Sequence, residues 1–432
     1  MTIAQLYEIY KQHPSVQTDT RKLKNGDLFF ALKGDNFNGN AFAAKAIEAG
    51  AAYAIIDEPE YAINDRMIMV NDTLQALQQL ALHHRRQFKI PFIAITGSNG
   101  KTTTKELIHA VLSTIYRTYT TEGNLNNHIG IPLTLLKVGF DAEMAVVEMG
   151  ANHQKEIESY CVYTEPTHGL ITNLGKAHLE GFGGVEGIRK GKGELFDYLR
   201  RFGGTALVMN DDHWLVEMSK GINPVITYGT EEADVVGEVI HPDTLDDEED
   251  AFLHVNIIKG AGTGITKTNL VGDYNVYNVL VAVAIGKLFR VSDEIIRDAI
   301  EGYHPTNSRS QMIIKDNNHI ILDAYNANPS SMRAAIENFA RLRAADKVLM
   351  LGAMAELGEE SLDEHREIVS LIAKYPWKEV VLVGGDFMRI DHPYRKLENS
   401  YAAKEWYDAE KFSGAHILIK GSRSMQMEKV LQ

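Results

Sequence analysis

Between a strand pattern and a helix pattern, the chain reads Ile95-Thr96-Gly97-Ser98-Asn99-Gly100-Lys101-Thr102-Thr103-Thr104. The apolar run Ile90–Ile95 predicts a buried strand, and apolar residues at helical spacing from Leu107 to Ile115 predict a helix. Glycines let backbone N–H groups approach a phosphate, and the N-terminus of a helix adds positive potential. The stretch therefore predicts a phosphate-binding loop, with an ordinary strand-to-helix turn as the alternative.

Two side chains of this loop are expected to act directly on a nucleotide. Lys101 would reach the β- and γ-phosphate oxygens, and Thr102 would place its hydroxyl on Mg²⁺. The longer form of the motif has a glycine where this chain has Ile95. The loop is therefore the short Gly-x-x-Gly-Lys-Thr-Thr form.

Length, charge and cysteine content limit the class of protein. A chain of 432 residues is too long for one core, so we expect two to four domains. The net charge of −14 argues against nucleic acid and anionic membrane as partners. The single cysteine, Cys161, fits a reducing compartment, and neither a signal-peptide core nor a membrane-length apolar run is visible. These features predict a cytoplasmic protein.

The chain divides into three blocks, 1–86, 87–304 and 305–432. The first mixes short strands and helices and ends in a long helix, roughly Thr73 to Phe88. The second alternates strands and helices, which is typical of a parallel sheet, and then adds antiparallel segments around the acidic run 246–250. The third resumes the alternation after the turn-rich segment 304–308, and this predicts a smaller open α/β sheet.

Polar residues follow two strands of the central block. The strand Ala145–Glu148 ends in an acid, and the strand Gly169–Asn173 leads to His178. Because the carboxyl ends of parallel strands share one edge, we expect both side chains beside the phosphate loop, with Glu148 as a Mg²⁺ ligand. A surface glutamate and a structural histidine are the alternatives. Lys192 lies in a helical pattern and by itself indicates a solvated lysine.

Two further groups have open interpretations. Asn275 and Asn278 lie three residues apart at a helix start, where their amides would read an adenine edge or Asn275 would cap the helix. Arg309 follows the turn-rich segment, and Asp323 closes a strand before a helix that Asn328 or Ser330 would cap. Arg309 and Asp323 either face a nucleotide across a domain cleft or are structural.

In this order, the segments resemble the Mur ligase family of bacterial cell-wall synthesis. The family-wide marks are Thr96–Thr103, Asn126–Pro132, Glu148–Gly150, His178, Lys192, Asn275–Asn278 and Arg309. The marks of one subgroup are Asp323–Met332, Met354–Gly358 and Lys420–Met425. Together they extend over essentially the whole chain.

The resemblance implies an α/β fold of three domains. These are an N-terminal UDP-substrate-binding domain (1–86), a central ATPase domain with a P-loop-type, mostly parallel sheet (87–304), and a C-terminal Rossmann-like domain (305–432). It implies nucleotide binding by Gly97, Ser98, Asn99, Gly100, Lys101, Thr102, Thr103, Asn275, Asn278, Arg309 and Asp323. It implies substrate binding by Thr18, Asp19, Thr20, Arg21, Asn126, Asn127, Asn326 and Asn328.

The implied reaction joins a carboxylate to an amine with ATP through an acyl phosphate. The partners would be UDP-N-acetylmuramoyl-tripeptide and D-alanyl-D-alanine, and the enzyme a monomer in peptidoglycan precursor synthesis. One Mg²⁺ would bind Thr102 and Glu148, and a second would lie near His178 and a carbamylated Lys192. Catalysis would use Lys101, His178, Lys192 and Arg309.

One position departs from the subgroup. The run that usually reads Gly-Asp-Met is Gly352-Ala353-Met354 here, which removes a carboxylate near the expected amine-substrate side. Rival functions are a sister ligase that adds the third peptide residue, a folylpolyglutamate synthetase, and a nucleotide-dependent switch. The subgroup marks argue against the first two. An Asn-Lys-x-Asp motif would mark a GTPase switch, and the sequence contains no Asn-Lys pair.

Overall fold

The computed structural model describes residues 1–241, 251–306 and 308–432. The acidic run at 246–250, expected to be a solvated loop, lies outside the described residues. The α/β class with three domains and parallel-rich sheets is confirmed. None of the helices within the described residues is long and apolar enough to cross a membrane.

Helices and strands alternate through most of the chain. The α-helices are α1 (Ile3–Gln12), α2 (Ala43–Glu48), α3 (Thr73–Arg85), α4 (Lys101–Leu112), α5 (Gly130–Leu136), α6 (Glu156–Thr164), α7 (Leu179–Phe182), α8 (Val185–Phe202), α9 (His213–Ser219), α10 (Val276–Leu288), α11 (Asp293–Glu301), α12 (Pro329–Arg341), α13 (Ser361–Ile372) and α14 (Ser400–Glu410). The strands are β1 (Val16–Gln17), β2 (Leu28–Phe30), β3 (Lys33–Gly34), β4 (Phe37–Asn38), β5 (Tyr53–Ile56), β6 (Met67–Met69), β7 (Phe92–Thr96), β8 (Thr118–Thr120), β9 (Met144–Glu148), β10 (His168–Ile171), β11 (Thr205–Met209), β12 (Val225–Gly229), β13 (Val235–Ile240), β14 (Phe252–Lys259), β15 (Gly264–Val271), β16 (Gln311–Lys315), β17 (Asn318–Asp323), β18 (Lys347–Gly352), β19 (Glu379–Val383), β20 (Arg395–Leu397) and β21 (His416–Lys420).

The N-terminal part is a small parallel sheet in the order β1-β2-β5-β6. The helix α3 then leads to the central sheet. Asp72 caps its start by accepting from the Gln75 N–H at 2.7 Å. The helix ends at Arg85, three residues before the predicted Phe88. The reason is that the last residues tighten into turns, in which the N–H groups of Gln87 and Phe88 bond carbonyls only three residues back.

The central sheet has nine strands in the order β15-β14-β13-β12-β11-β10-β7-β9-β8. Strands β13 to β8 pair in parallel, and β14 and β15 form the antiparallel extension that the sequence predicted. The strand β7 lies between β9 and β10. The chain therefore adds β8 and β9 on one side of β7, and then crosses to add β10 to β15 on the other side. Such a reversal opens a crevice at the carboxyl ends of the strands, where ligands bind in open α/β sheets.

The C-terminal sheet has the order β16-β17-β21-β18-β19-β20. It is parallel from β17 to β20, as predicted for an open α/β sheet, and β16 adds an antiparallel edge that was not predicted. Asp323 at the end of β17 is the register partner of Lys420 at the end of β21. Two charged residues of distant sequence position therefore share the carboxyl edge of this sheet.

The strand β10 is shorter than predicted, because it ends at Ile171 rather than Asn173. The next two side chains turn toward the phosphate loop. Thr172 Oγ1 donates to the Asn99 carbonyl at 2.6 Å, and Asn173 Nδ2 donates to the same oxygen at 3.0 Å. Because Thr172 and Asn173 bond to this loop carbonyl, they leave the sheet and β10 ends at Ile171.

A buried histidine joins α3 to the rest of the core and gives a prediction on stability. His84 is 2% exposed, its Nδ1 lies 2.9 Å from the Tyr7 hydroxyl and its Nε2 lies 2.8 Å from the Val138 carbonyl. The carbonyl requires a donor at Nε2, so the folded ring is neutral with Nδ1 as acceptor. Burial lowers the pKa of His84, with a smaller contribution from His83.

We expect His84→Gln to lower the unfolding free energy at neutral pH. The difference in unfolding free energy between the wild type and the variant should become smaller at acidic pH. Because the folded pKa lies below the unfolded one, the unfolded chain binds the proton more readily. The stability that the wild type gains from neutral His84 is present above about pH 6.5 and is lost as pH falls toward the folded pKa. Denaturant melts across this range measure the difference, with exposed His213→Gln as the control. A difference that does not change with pH would contradict the assignment.

Candidate active site

A cavity of about 730 Å³ lies between the central and C-terminal sheets. It is lined by the phosphate loop, by the segments after β9 and β10, and by C-terminal residues. The predicted residues that line it are Ser98, Asn99, Gly100, Lys101, Thr102, Thr103, Asn126, Asn127, Glu148, His178, Asn275, Asn278, Arg309, Asp323, Asn326 and Asn328. One cavity therefore brings together most of the residues that the sequence singled out.

The phosphate loop needs glycine at two positions. Gly97 and Gly100 have φ of +141° and +78°. A Cβ on Gly97 would lie 2.0 Å from Thr172 Oγ1, and one on Gly100 would lie 2.8 Å from Asn278 Oδ1. Only glycine fits both the backbone conformation and the close neighbours.

Lys101, the first residue of α4, folds back over this loop. Its Nζ donates to the Gly97 carbonyl at 2.7 Å and to the Ser98 carbonyl at 3.2 Å. Burial lowers the pKa of Lys101, the nearby charge of Arg309 acts in the same direction, and Glu148 opposes them. The Lys101 side chain therefore lies at the N-terminus of α4, where the backbone N–H groups also favour a bound phosphate.

Glu148 ends β9 beside the start of α4. It is 1% exposed, and its Oε2 accepts from the Thr102 hydroxyl at 2.9 Å. The other oxygen, Oε1, accepts from Asn126 Nδ2 at 2.8 Å. A surface role for Glu148 is therefore wrong, because the carboxylate is buried and oriented by two partners.

The hydroxyl of Thr102 and the carboxylate of Glu148 fit a magnesium ion. Both offer hard oxygen atoms next to the phosphate loop, and Mg²⁺ is usually held by one or two carboxylates together with substrate phosphates. Within the described residues, no group of three or more His, Cys, Asp or Glu side chains is arranged to hold a metal ion. The fit of this site consequently depends on a phosphate ligand.

The neighbouring loop explains the two asparagines at 126 and 127. Asn126 orients Glu148, and its backbone carbonyl accepts from the Gly150 N–H at 2.7 Å. Asn127 Oδ1 accepts from the N–H groups of Ile129 and Gly130, at 3.2 and 2.9 Å, and so satisfies the start of α5. Both residues line the cavity, but their amides already have structural partners.

His178 lies just before α7 with a left-handed φ of +55° and lines the cavity. Its Nδ1 lies against a carboxylate oxygen of Glu356, which belongs to the C-terminal sheet region. This contact holds the pKa of Glu356 below its ordinary value. His178 is therefore placed at the domain boundary, beside the site of Thr102 and Glu148.

Lys192 is buried in α8, so the expectation of a solvated lysine is wrong. It is 1% exposed, its Nζ donates to the Ala151 carbonyl at 3.1 Å and lies 4.9 Å from the Phe182 ring centre. Burial, followed by the positive charge of Lys101, lowers the pKa of Lys192 well below its ordinary value. Ala151 lines the cavity, so the amine lies directly behind its wall.

The nearby carboxylate of Glu194 does not form a hydrogen bond with Lys192. It accepts from the N–H groups of Lys155 and Glu158 at 2.5 and 2.9 Å, which satisfies the N-terminus of α6. Lys192 is left facing a carbonyl and an aromatic ring.

The asparagine pair at the start of α10 is buried. Asn278 accepts from the Thr104 hydroxyl at 2.9 Å and donates to Asn275 Oδ1 at 2.7 Å. Asn275 in turn donates to the Val271 carbonyl at 2.9 Å and makes no capping bond. The helix-cap alternative for Asn275 is therefore wrong, and the pair joins α10 to α4 at the cavity wall.

The C-terminal residues approach the phosphate loop from the opposite side. Asp323 accepts from Lys420 Nζ and from the Ser310 N–H, the latter at 3.2 Å. The Arg309 guanidinium lies 3.5 Å from the ring centre of Tyr325, and Arg423 lies 4.9 Å from the same centre. Arg309 and Asp323 thus face the cavity across the domain cleft.

Asn328 touches the phosphate loop directly. Its Oδ1 accepts from the Ser331 N–H at 2.9 Å, which makes it the cap of α12 rather than Ser330. Its Nδ2 donates to Asn99 Oδ1 at 2.7 Å. Asn326 is exposed, and its side chain accepts from the neighbouring Ala327 N–H.

The N-terminal motif is not brought into this cavity. None of Thr18, Asp19, Thr20 and Arg21 is among the described residues that line it. Asp19 caps the short turn at Thr20–Lys22 and pairs with Arg21, whose hydrogen bonds lower the pKa of Asp19 to about 2. This motif lies apart from the phosphate loop.

The cavity and its edge contain residues that sequence reasoning did not assign. Tyr325, Lys420 and Arg423 lie within the quoted subgroup motifs, and Glu356 follows the Ala353 departure. These motifs could have drawn attention to the residues, but the roles of the residues depend on contacts across the domain cleft. Ala353 itself is buried, and its carbonyl accepts from the Ser422 hydroxyl at 2.6 Å.

Three family models match the chain in succession. They are the Mur ligase family, catalytic domain, over residues 14–85, the Mur ligase middle domain over residues 95–286, and the Mur ligase, glutamate ligase domain over residues 308–423. Together they extend through most of the sequence.

Individual relatives match over nearly their full length. The UDP-N-acetylmuramoyl-tripeptide–D-alanyl-D-alanine ligase of Bacillus subtilis is 36% identical and covers 96% of this chain and 92% of its own. The structure of MurF from Acinetobacter baumannii is 31% identical, with a TM-score of 0.86 and the same two coverages, 96% and 92%. MurF from Thermotoga maritima in complex with ADP is 25% identical, with a TM-score of 0.85 and 96% of each chain covered.

Proposed function

Since this chain belongs to the Mur ligase family, we propose that it is the ATP-dependent ligase that joins D-alanyl-D-alanine to UDP-N-acetylmuramoyl-tripeptide in peptidoglycan precursor synthesis. The single observation that carries this proposal is the cavity in which the phosphate loop meets the subgroup segment at Asp323–Ser331. The full-length similarity to ligases of that name and the ADP complex of one of them support it.

The chemistry explains why such a site is needed. A carboxylate is a poor electrophile because oxide would have to leave. Its oxygen attacks the γ-phosphorus of ATP, ADP leaves, and an acyl phosphate forms. The amine of D-alanyl-D-alanine attacks the acyl carbon, and the tetrahedral intermediate loses inorganic phosphate and a proton. Both steps gather negative charge, so cationic groups at the cavity supply most of the catalysis.

We assign the residues as follows. Lys101 and Arg309 stabilise the transferring phosphoryl group, and Asp323 holds the ribose or orients the docked C-terminal domain. Asn275 and Asn278 are assigned to the adenine. Thr102 and Glu148 would hold one Mg²⁺, and His178 with a carbamylated Lys192 would hold a second. Bound magnesium would neutralise phosphate charge. The UDP-substrate is assigned to Thr18, Asp19, Thr20, Arg21, Asn126 and Asn127, and the amine-substrate side to Asn326 and Asn328.

The domains are proposed as 1–86, 87–304 and 305–432. The four-stranded, nine-stranded and six-stranded sheets each fall within one of these ranges, and so does each matching family model. We further propose a monomer, as the family suggests, in the cytoplasm. The reactions of ATP and the single buried Cys161 fit that compartment.

Product analysis tests the function. The protein is incubated with ATP, Mg²⁺, D-alanyl-D-alanine and a UDP-tripeptide ending in lysine or in another diamino acid, and products are identified by mass spectrometry. We expect one product, larger by the dipeptide, and phosphate release only when both organic substrates are present. Extension of a UDP-dipeptide by a single amino acid would instead establish the sister ligase. Phosphate release that needs neither substrate would favour a switch.

Domain docking is expected to be required for turnover, because Arg309 and Asp323 lie beyond the linker and Lys101 and Glu148 before it. Asn328→Asp tests this with an isosteric change. Aspartate still caps α12, but an acceptor now faces the Asn99 oxygen, so docking onto the phosphate loop weakens. We expect turnover to fall roughly tenfold or more, about the effect of losing one hydrogen bond to a buried group.

The control for this change is Asn399→Asp, which alters the cap of α14 in the same way. Small-angle scattering with an ATP analogue and UDP-substrate should show compaction of the wild type and of the control, and less of it for Asn328→Asp. Equal compaction and equal turnover in all three proteins would contradict the role of this contact.

A further inference from the structure

His178 and Glu356 meet at the boundary of the central and C-terminal domains. Nδ1 of His178 lies against a Glu356 carboxylate oxygen. Both residues have left-handed backbone conformations, with φ of +55° and +61°. Residues other than glycine adopt this conformation at a cost, and it persists only where the surroundings impose it. The pair is therefore held in place by neighbouring structure.

The Glu356 side of the pair is fixed by a buried histidine of α13. His365 is fully buried, its Nε2 accepts from the Met354 N–H at 3.1 Å, and its Nδ1 lies 2.7 Å from the Ser361 carbonyl, to which it donates. These two bonds require the neutral ring and hold the loop that carries Glu356. Gly358 continues this loop with φ of +57°, and a Cβ there would lie 3.2 Å from that of Glu180 in α7.

The His178 side is fixed by its own loop. The backbone N–H of Lys176 donates to the Ser330 hydroxyl at 2.9 Å, and its Nζ pairs with Glu364 at 2.5 Å. The Gly175 carbonyl accepts from the hydroxyl of Ser98 in the phosphate loop at 2.6 Å. The segment that carries His178 is thus bonded both to the phosphate loop and to the C-terminal domain.

We propose that Glu356 is a positioning residue whose carboxylate accepts a hydrogen bond from Nδ1–H of His178 and thereby selects the tautomer with an unprotonated Nε2. His178 lines the cavity, and Nε2 is the ring nitrogen that Glu356 does not contact. A carboxylate on one ring nitrogen fixes the ring orientation and the tautomer, and so decides which nitrogen carries the proton.

The consequence is that the C-terminal domain completes the site on the central domain. Undocked, His178 would lose its carboxylate and rotate or change tautomer. The effect on ligation rests on the proposed function, whereas the tautomer of His178 is a property of this chain alone.

The test uses full-length protein with ¹⁵N-labelled histidine, without nucleotide or metal. The signal of His178 is identified by its loss in His178→Asn. In the wild type we expect the Nδ1–H tautomer, which is distinguished from the Nε2–H tautomer by the couplings of each ring nitrogen to Hδ2 and Hε1. In Glu356→Ala we expect a change toward the Nε2–H form or a mixture. The control is Glu359→Gln, an exposed acid three residues later, which should leave the spectrum unchanged.

Kinetics supply the second readout. We expect Glu356→Ala to lower kcat roughly 10–100-fold, as loss of such a partner does, and Glu356→Gln, which keeps an acceptor oxygen, to lower it less. A Nε2–H tautomer in the wild type, or an unchanged tautomer in Glu356→Ala, overturns the proposal. A changed tautomer with unchanged kcat overturns its role in the reaction. Absence of any ligase product from the wild type would overturn the proposed function, while the spectra still decide the pairing.

Discussion

Lys101→Ala is expected to lower kcat by roughly two or more orders of magnitude. The side chain is the cation of the phosphate loop, and its Nζ lies within hydrogen-bonding distance of the Gly97 and Ser98 carbonyls. That position is at the N-terminus of α4, where a transferred phosphoryl group would gather negative charge. Because the charge acts mainly on the transition state, the loss should fall on kcat more than on the KM for ATP.

The comparison requires a lysine variant outside the site. Lys11→Ala removes an exposed lysine of α1 that pairs with Glu8, and it should keep the wild-type rate. Lys101→Arg tests the geometry, because a planar guanidinium does not place its charge as the compact ammonium does and should not restore activity. The measurements are product formation at saturating substrates and nucleotide binding by calorimetry. A Lys101→Ala enzyme with the full ligase rate would refute the phosphate-loop assignment.

Local patterns in the sequence were enough to predict the loop between β7 and α4 that lines the cavity. The strand β7, the loop and α4 are contiguous, and each has a periodicity or a glycine that local physics requires. Glu148 was found for the same reason, because it ends an apolar strand next to that loop. The parallel arrangement of the central sheet then places both at one edge.

Contacts between distant segments were not predictable in this way. Asp323 meets Lys420 only because β17 pairs with β21, and nothing near either residue indicates that register. The amide of Asn278 was expected to read an adenine edge, and its oxygen accepts a hydrogen bond from Thr104 of another helix. Such pairings depend on tertiary packing, which periodicity does not encode.

The burial of Lys192 is the clearest case of packing that overrides a local pattern. In sequence it is one of two lysines in the same helix, Lys190 and Lys192, and both lie among glycines and charged residues. In the structure Lys190 is exposed, whereas Lys192 points inward to Ala151. A buried ammonium without a carboxylate partner is costly, so the amine is driven toward its neutral form.

Lys192→Ala is accordingly expected to be nearly inactive. A neutral amine attacks CO₂ to form a C–N bond and loses a proton, which leaves a carbamate anion on the side chain. The lowered pKa of Lys192, due first to burial and then to Lys101, provides that neutral amine. An anion at this place would bind or orient the second proposed metal, whereas an ammonium would repel it. Removing the side chain removes the anion, so ligase activity should fall to near the detection limit.

Three measurements decide this role together. A short carboxylic acid added to Lys192→Ala should partly restore product formation by replacing the carbamate. ¹³CO₂ should give a carbamate carbon signal in the wild type and in the control Lys190→Ala, which removes the exposed lysine of the same helix, but not in Lys192→Ala. Normal activity of Lys192→Ala, or an unmodified amine in a well-resolved active complex of the wild type, would show that Lys192 is instead a packing residue of α8. Its buried side chain, with the hydrogen bond to the Ala151 carbonyl and the contact with the Phe182 ring, would then serve packing alone, and its loss should alter stability but not the rate of ligation.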